Sequence, residues 1–143
     1  MTDDHWNIFL ALLRAGLWEQ DLRLDEPLAA GEWGVLRKEA LDQSVLGILL
    51  RGVTHLPADQ LPPEGEQAIQ QSWANALANV SDRISRVEEE LIPRLMELGV
   101  HPTIQKGSTV ARYYALPEMR QGGDIDVYCP EFELARAIAP RAR

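Results

Sequence analysis

The sequence predicts an α+β protein in which a helical N-terminal bundle precedes a small mixed sheet. Three observations carry that reading. From Asp4 to Leu98 the apolar residues recur mostly at three- and four-residue intervals, the period of one helix face. After Gly99 the texture changes to short β-branched runs punctuated by glycine. With 45% apolar residues in 143, the chain has enough material for one core of ordinary domain size.

Each element follows from its residues. Trp6, Phe9, Leu10, Leu13 and Leu17 make an amphipathic stripe over Asp4 to Leu17, with Thr2, Asp3 or Asp4 available as its N-cap. A polar linker, Glu19 to Gly31, leads to a second stripe over Glu32 to Val53, built from Trp33, Leu36, Ala40, Leu41, Val45, Ile48 and Leu49. Pro57, Pro62 and Pro63 make His55 to Gly65 a loop. The longest periodic segment, Glu66 to Leu98, keeps its spacing through Ile69, Trp73, Ala76, Val80, Ile84, Val87, Leu91, Leu95 and Leu98. Pro93 is expected to kink this helix near Glu89, and Gly99 to close it in a left-handed C-cap. The periodicity divides the chain into a helical region, 1–99, and a second region, 100–143.

In the second region Thr103 to Lys106 reads as a strand, Ser108 to Leu116 as a helix of about two turns, and Pro117 to Gly123 as a turn. Ile125 to Cys129 reads as a second strand, and Glu131 to Ala139 as the start of another helix. Two strands alone leave open edges, so the expectation is that the sheet is cut short here or is completed by a second chain, as in a homodimer.

Charge and composition narrow the function. Lys and Arg number 14 against 22 Asp and Glu, a net charge of −8, and no basic run offers a stripe for a phosphate backbone. This argues against nucleic acid binding by this chain alone. The lone cysteine, Cys129, excludes an intrachain disulfide, and the opening Met-Thr-Asp-Asp is unlike a signal peptide, which together give a cytoplasmic expectation. No apolar run approaches the ~20 residues that cross a bilayer.

The chemistry concentrates in KGSTVARYYALPEMRQGGDIDVYC, Lys106 to Cys129. In a strand, alternate side chains share a face, so Asp124 and Asp126 are expected on one side while Ile125 and Val127 face a core. Two carboxylates on a rigid strand suit Mg2+ when water and triphosphate oxygens complete its shell. Gly107 allows close backbone approach to a phosphate, and Ser108 opens a helix whose free amides suit an anion, although a serine-capped turn has the same local sequence. Lys106 and Arg120 are candidates to neutralise phosphate charge, or equally to pair with Asp124 or stand at the surface. The chemistry this set suggests is nucleotidyl transfer.

Lys106-Gly107, Tyr114, Pro117, Arg120 and the run GDIDVYC together resemble the uncharacterised nucleotidyltransferase family of the DNA polymerase beta superfamily. The Trp33-led helix and the long helix before the first strand resemble that family's N-terminal part. The resemblance implies the start of a polymerase-beta-like nucleotidyltransferase core after the bundle. Asp124 and Asp126 would then be catalytic metal ligands, with a nucleoside triphosphate as ligand and a hydroxyl as acceptor. Two departures stand out. Thr109 to Gly123 is a longer spacer than the superfamily's usual one, and no third carboxylate follows on a later strand, since Glu131 and Glu133 are misplaced for it. A second reading therefore stands beside the first: a nucleotidyltransferase-fold interaction module, inactive or truncated, dimerising or antitoxin-like.

Other residues read as structural. Trp6, Trp18, Trp33 and Trp73 lie in or beside helical stripes and are expected in the core, as are Tyr113 and Tyr114. His5, His55 and His101 lack zinc-ligand spacing. Glu88, Glu89 and Glu90 read as a solvated helix face.

Overall fold

A computed structural model describes residues 2–131, 134 and 136. Helix α1, Asp3–Trp18, starts in a reciprocal cap: the Thr2 hydroxyl accepts from the His5 amide at 3.3 Å, and His5 Nδ1 accepts from the Thr2 amide at 3.4 Å. Asp3 and Asp4 in its first turn add favourable charge at the positive end of the helix.

The stripe expected as one helix over Glu32 to Val53 forms two, α2 at Ala30–Asp42 and α3 at Leu46–Val53. The break is a Schellman turn with serine where glycine is usual. Ser44 takes φ 57, its amide donates to Leu41 at 3.1 Å, and the Val45 amide donates to Ala40 at 2.8 Å. The apolar period runs unbroken across this turn, so periodicity alone hides it.

Helices α1 and α3 cross at glycines. A Cβ on Gly16 would lie 2.2 Å from the Ile48 carbonyl oxygen, and one on Gly52 would lie 2.0 Å from that of Leu12. Around this crossing, Phe9, Leu12, Trp33, Leu36, Ala40, Leu46, Leu49 and Val53 form the main core. Gln60 ties the proline-rich loop to it. The Gln60 side chain, 3% exposed, accepts from the Leu24 amide at 2.8 Å and donates to the Leu24 carbonyl at 2.7 Å.

The long helix, α4, runs Glu64–Glu97 and continues through Pro93. It closes as expected: Gly99 has φ 82, the Val100 amide donates to Leu95, and Val100 and Leu95 pack together in a small second core with Leu91, Val127 and Cys129. Strand β1, Thr103–Gln105, pairs antiparallel with β2, Asp126–Tyr128, in the register Thr103 with Tyr128, Ile104 with Val127 and Gln105 with Asp126. This pair is the sheet among the described residues. The helix expected from Glu131 to Ala139 falls largely outside them.

Several expected core residues are outside it. Trp33 is 1% exposed, but Trp18 is 63% exposed and Trp6 and Trp73 are also open to solvent, while Tyr113 is 76% exposed. The bundle is too small to cover both sides of α1 and α4, so their apolar stripes are wider than the partners they meet. Glu88 departs from its neighbours in the opposite sense: its Oε1 is buried without a hydrogen-bond partner.

Candidate active site

The site begins where β1 ends. Lys106 takes φ 57 and ψ −141, and Gly107 takes φ 47, so two successive left-handed residues turn the strand sharply into α5, Gly107–Ala111. A non-glycine residue held this way costs on the order of 1–3 kcal/mol and needs local support. Thr109 supplies it, since its amide donates to the Lys106 carbonyl at 2.9 Å and its hydroxyl donates to the same oxygen at 2.6 Å.

The helix expected to reach Leu116 ends at Ala111. The Tyr113 and Tyr114 amides already reach back only three residues, to Val110 and Ala111, so the chain has tightened into turns. Valine and adjacent tyrosines are weak helix formers, and Pro117 disfavours helical backbone at Leu116. A five-residue helix has little macrodipole, so any anion held here relies mainly on side chains and individual amides.

Arg120 is positioned by the helical bundle. It follows a single 3-10 turn at Pro117–Met119, and the residues on either side of it are anchored to α3. A Cβ on Gly47 would lie 1.7 Å from the Met119 carbonyl oxygen, so only glycine lets that backbone settle on the helix. Next in sequence, the Gln121 side-chain oxygen accepts from the Leu46 amide at 3.3 Å, satisfying a free donor at the start of α3. Arg120 then folds back over Gly122, its Nη1 lying 3.1 Å from where a Cβ on that glycine would stand.

These segments enclose a cavity of about 220 Å³ against α4. Gly107, Ser108, Arg120 and Asp124, four of the residues singled out by sequence, line it together. Lys106 and Asp126 do not line it but meet beside it, Lys106 Nζ standing 3.5 Å from Asp126 Oδ2. Asp126 opens β2 on the face opposite Val127, as strand alternation requires, whereas Asp124 precedes the strand and is exposed. The two carboxylates therefore sit on different backbone geometry, one on a strand and one in the loop feeding it.

Sequence reasoning missed the remainder of the wall. Leu77, Val80, Ser81, Ile84 and Ser85 of α4 line the cavity, as does Arg112. The Arg112 guanidinium stacks over the Tyr113 ring, 5.0 Å from its centroid, and donates to the Tyr113 hydroxyl at 3.1 Å. Two guanidinium groups against one carboxylate make this a cationic spot on a chain of net charge −8. An anion is the ligand such a wall favours.

Carboxylate donors fit a hard cation such as Mg2+, which commonly takes one or two carboxylates and completes its shell with water and phosphate oxygens. Among the described residues no group of three His, Cys, Asp or Glu side chains converges at metal-holding distance. Comparison with curated proteins and with solved structures finds no match. A family model described as an uncharacterised nucleotidyltransferase matches residues 29–139, from the cap of α2 through the whole cavity, and the chain belongs to that family.

Proposed function

We propose that the cavity beside the Gly107–Ser108 turn binds a nucleoside triphosphate with Mg2+, and that the protein transfers a nucleoside monophosphate to a hydroxyl acceptor with release of pyrophosphate. The observation that carries this reading is the convergence of Gly107, Ser108, Arg120 and Asp124 on one cavity in a chain of a nucleotidyltransferase family.

Asp124 and Asp126 would hold the metal, which supplies charge neutralisation at the phosphates when bound. The chain's own residues do the rest. The Gly107–Ser108 backbone approaches the phosphates closely because no Cβ intervenes at Gly107. Arg120 and Lys106 offset phosphate charge, Arg120 with a fork that bonds two oxygens and Lys106 as a point charge. Positioning and electrostatics are the main requirements of phosphoryl transfer, so a site made of charges and amides suffices without a covalent nucleophile.

A second reading, a nucleotidyltransferase-fold interaction module without catalysis, draws support from the missing third carboxylate among the described residues and from the two-stranded sheet. Calorimetry separates the two. The enzyme reading expects Mg2+-dependent triphosphate binding by the wild type that is lost in Asp124→Ala and in Asp126→Ala. A folded wild type that binds no triphosphate leaves the interaction module standing.

A further inference from the structure

The cavity is lined by two chemically different sets of residues. Gly107, Ser108, Arg112, Arg120 and Asp124 make its lining polar and on balance cationic on the side of α5 and the loop before β2, while α4 contributes Leu77, Val80 and Ile84, with the hydroxyl-bearing Ser81 and Ser85 on the same helix. At ~1.5 Å rise per residue, Leu77 to Ile84 spans about 10 Å, the length scale of a flat heterocycle. Ala111 and Pro117, from the opposing segments, add further apolar wall. The cavity volume of about 220 Å³ is below the ~300–1,000 Å³ usual for a complete small-molecule site. The cavity therefore holds part of a ligand that extends beyond it.

We propose that this α4 wall seats the nucleobase, with Leu77, Val80 and Ile84 against its face and Ser81 and Ser85 hydrogen-bonding its edge. The proposal rests on the nucleotide reading above and adds to it the residues that determine base preference. It follows from the mixed lining of the cavity: the phosphates take the polar, cationic groups around Gly107, Ser108 and Arg120, and the uncharged, planar part of the same ligand takes the apolar side chains of α4. A hydroxyl both donates and accepts, so two serines one helical turn apart can discriminate between bases by the pattern of donors and acceptors at their edges. The base-reading surface then belongs to the helical region, remote in sequence from the motif that holds the phosphates.

The test is calorimetric titration of the protein in Mg2+ with each of the four ribonucleoside triphosphates and with inorganic tripolyphosphate. The wild type is expected to bind at least one nucleoside triphosphate about ten-fold or more tighter than tripolyphosphate, because the base buries apolar surface. In Ser81→Ala/Ser85→Ala the preference among bases falls by roughly 2–10-fold, with tripolyphosphate affinity unchanged. Ser81→Phe fills the slot and removes the nucleoside advantage, and its retained tripolyphosphate binding shows that the protein is folded. Tripolyphosphate binding with a base preference that survives both variants overturns this inference alone. A wild type that binds neither ligand overturns the nucleotide reading and this inference with it.

Discussion

Lys106 Nζ stands 3.5 Å from Asp126 Oδ2 across the point where β1 turns into α5, so a candidate metal ligand is already paired with a cation of its own chain. Their side chains are 74% and 42% exposed, which holds the pair to the surface range of up to about 1 kcal/mol. If Asp126 holds a metal as proposed, lysine and metal compete for one carboxylate. Lys106→Met is expected to tighten Mn2+ binding to the nucleotide-free protein by roughly two- to five-fold and to weaken tripolyphosphate binding. Mn2+ titration followed by electron paramagnetic resonance reads the first effect, and unchanged Mn2+ affinity removes Asp126 from the metal site.

Gly47→Ala places a methyl group where the Met119 carbonyl oxygen already sits. The backbone at Met119 has to move, at a cost of about 1–3 kcal/mol as for other overpacked contacts, and Arg120 moves with it. Urea denaturation should show the lost stability, and triphosphate affinity should fall as well. Loss of stability with unaltered triphosphate binding means that Arg120 is not held through α3.

Gln60→Ala leaves the Leu24 amide and carbonyl, both satisfied by one buried side chain, without partners. Each unsatisfied backbone group costs about 1–3 kcal/mol, so the variant should unfold at markedly lower denaturant while triphosphate binding in the folded protein is unaffected. A fall below about 1 kcal/mol implies that water replaces both bonds.

Glu19 sets an acid limit on stability. The Arg51 side chain donates to its carboxylate, with Nε 2.8 Å from Oε1, and holds the Glu19 pKa below its ordinary value of 4.5, with a smaller contribution from His55 and partial opposition from burial. A carboxyl group with a depressed folded pKa contributes fully above its unfolded value and loses that contribution as pH falls through the folded one. The urea midpoint of the wild type should therefore fall more steeply below pH 4.5 than that of Glu19→Gln. Glu32, lowered by the Ala29 amide and His5, and Glu131, lowered by His101, leave the variant some residual slope. Parallel curves would show that the Arg51 contact is absent in solution.

The helices were largely legible because a helix is a local object: spacing in the chain is spacing on the surface. What stayed hidden depended on an atypical residue or on a distant partner. The Ser44 turn was missed because left-handed backbone is ordinarily signalled by glycine, and here two carbonyls from α2 accept its bonds instead. The exposure of Trp18 and Tyr113 was missed because an apolar period shows which face is apolar but not what covers it. The same limit concealed the cavity wall, since Ser81 and Ser85 read as ordinary polar positions beside a helical stripe.

By itself the sequence determined where the helical region gives way to strands, the left-handed cap at Gly99, the Gly107–Ser108 turn and the outward face of Asp126, all set by backbone preference and side-chain alternation over a few residues. Only the tertiary structure decided that Asp124 lines the cavity while Asp126 pairs with Lys106, that α3 positions Arg120 and that α4 closes the site. Those outcomes rest on contacts between segments far apart in the chain, where the close approach at Gly47 and the Gln121 bond to Leu46 select one arrangement that no local pattern specifies.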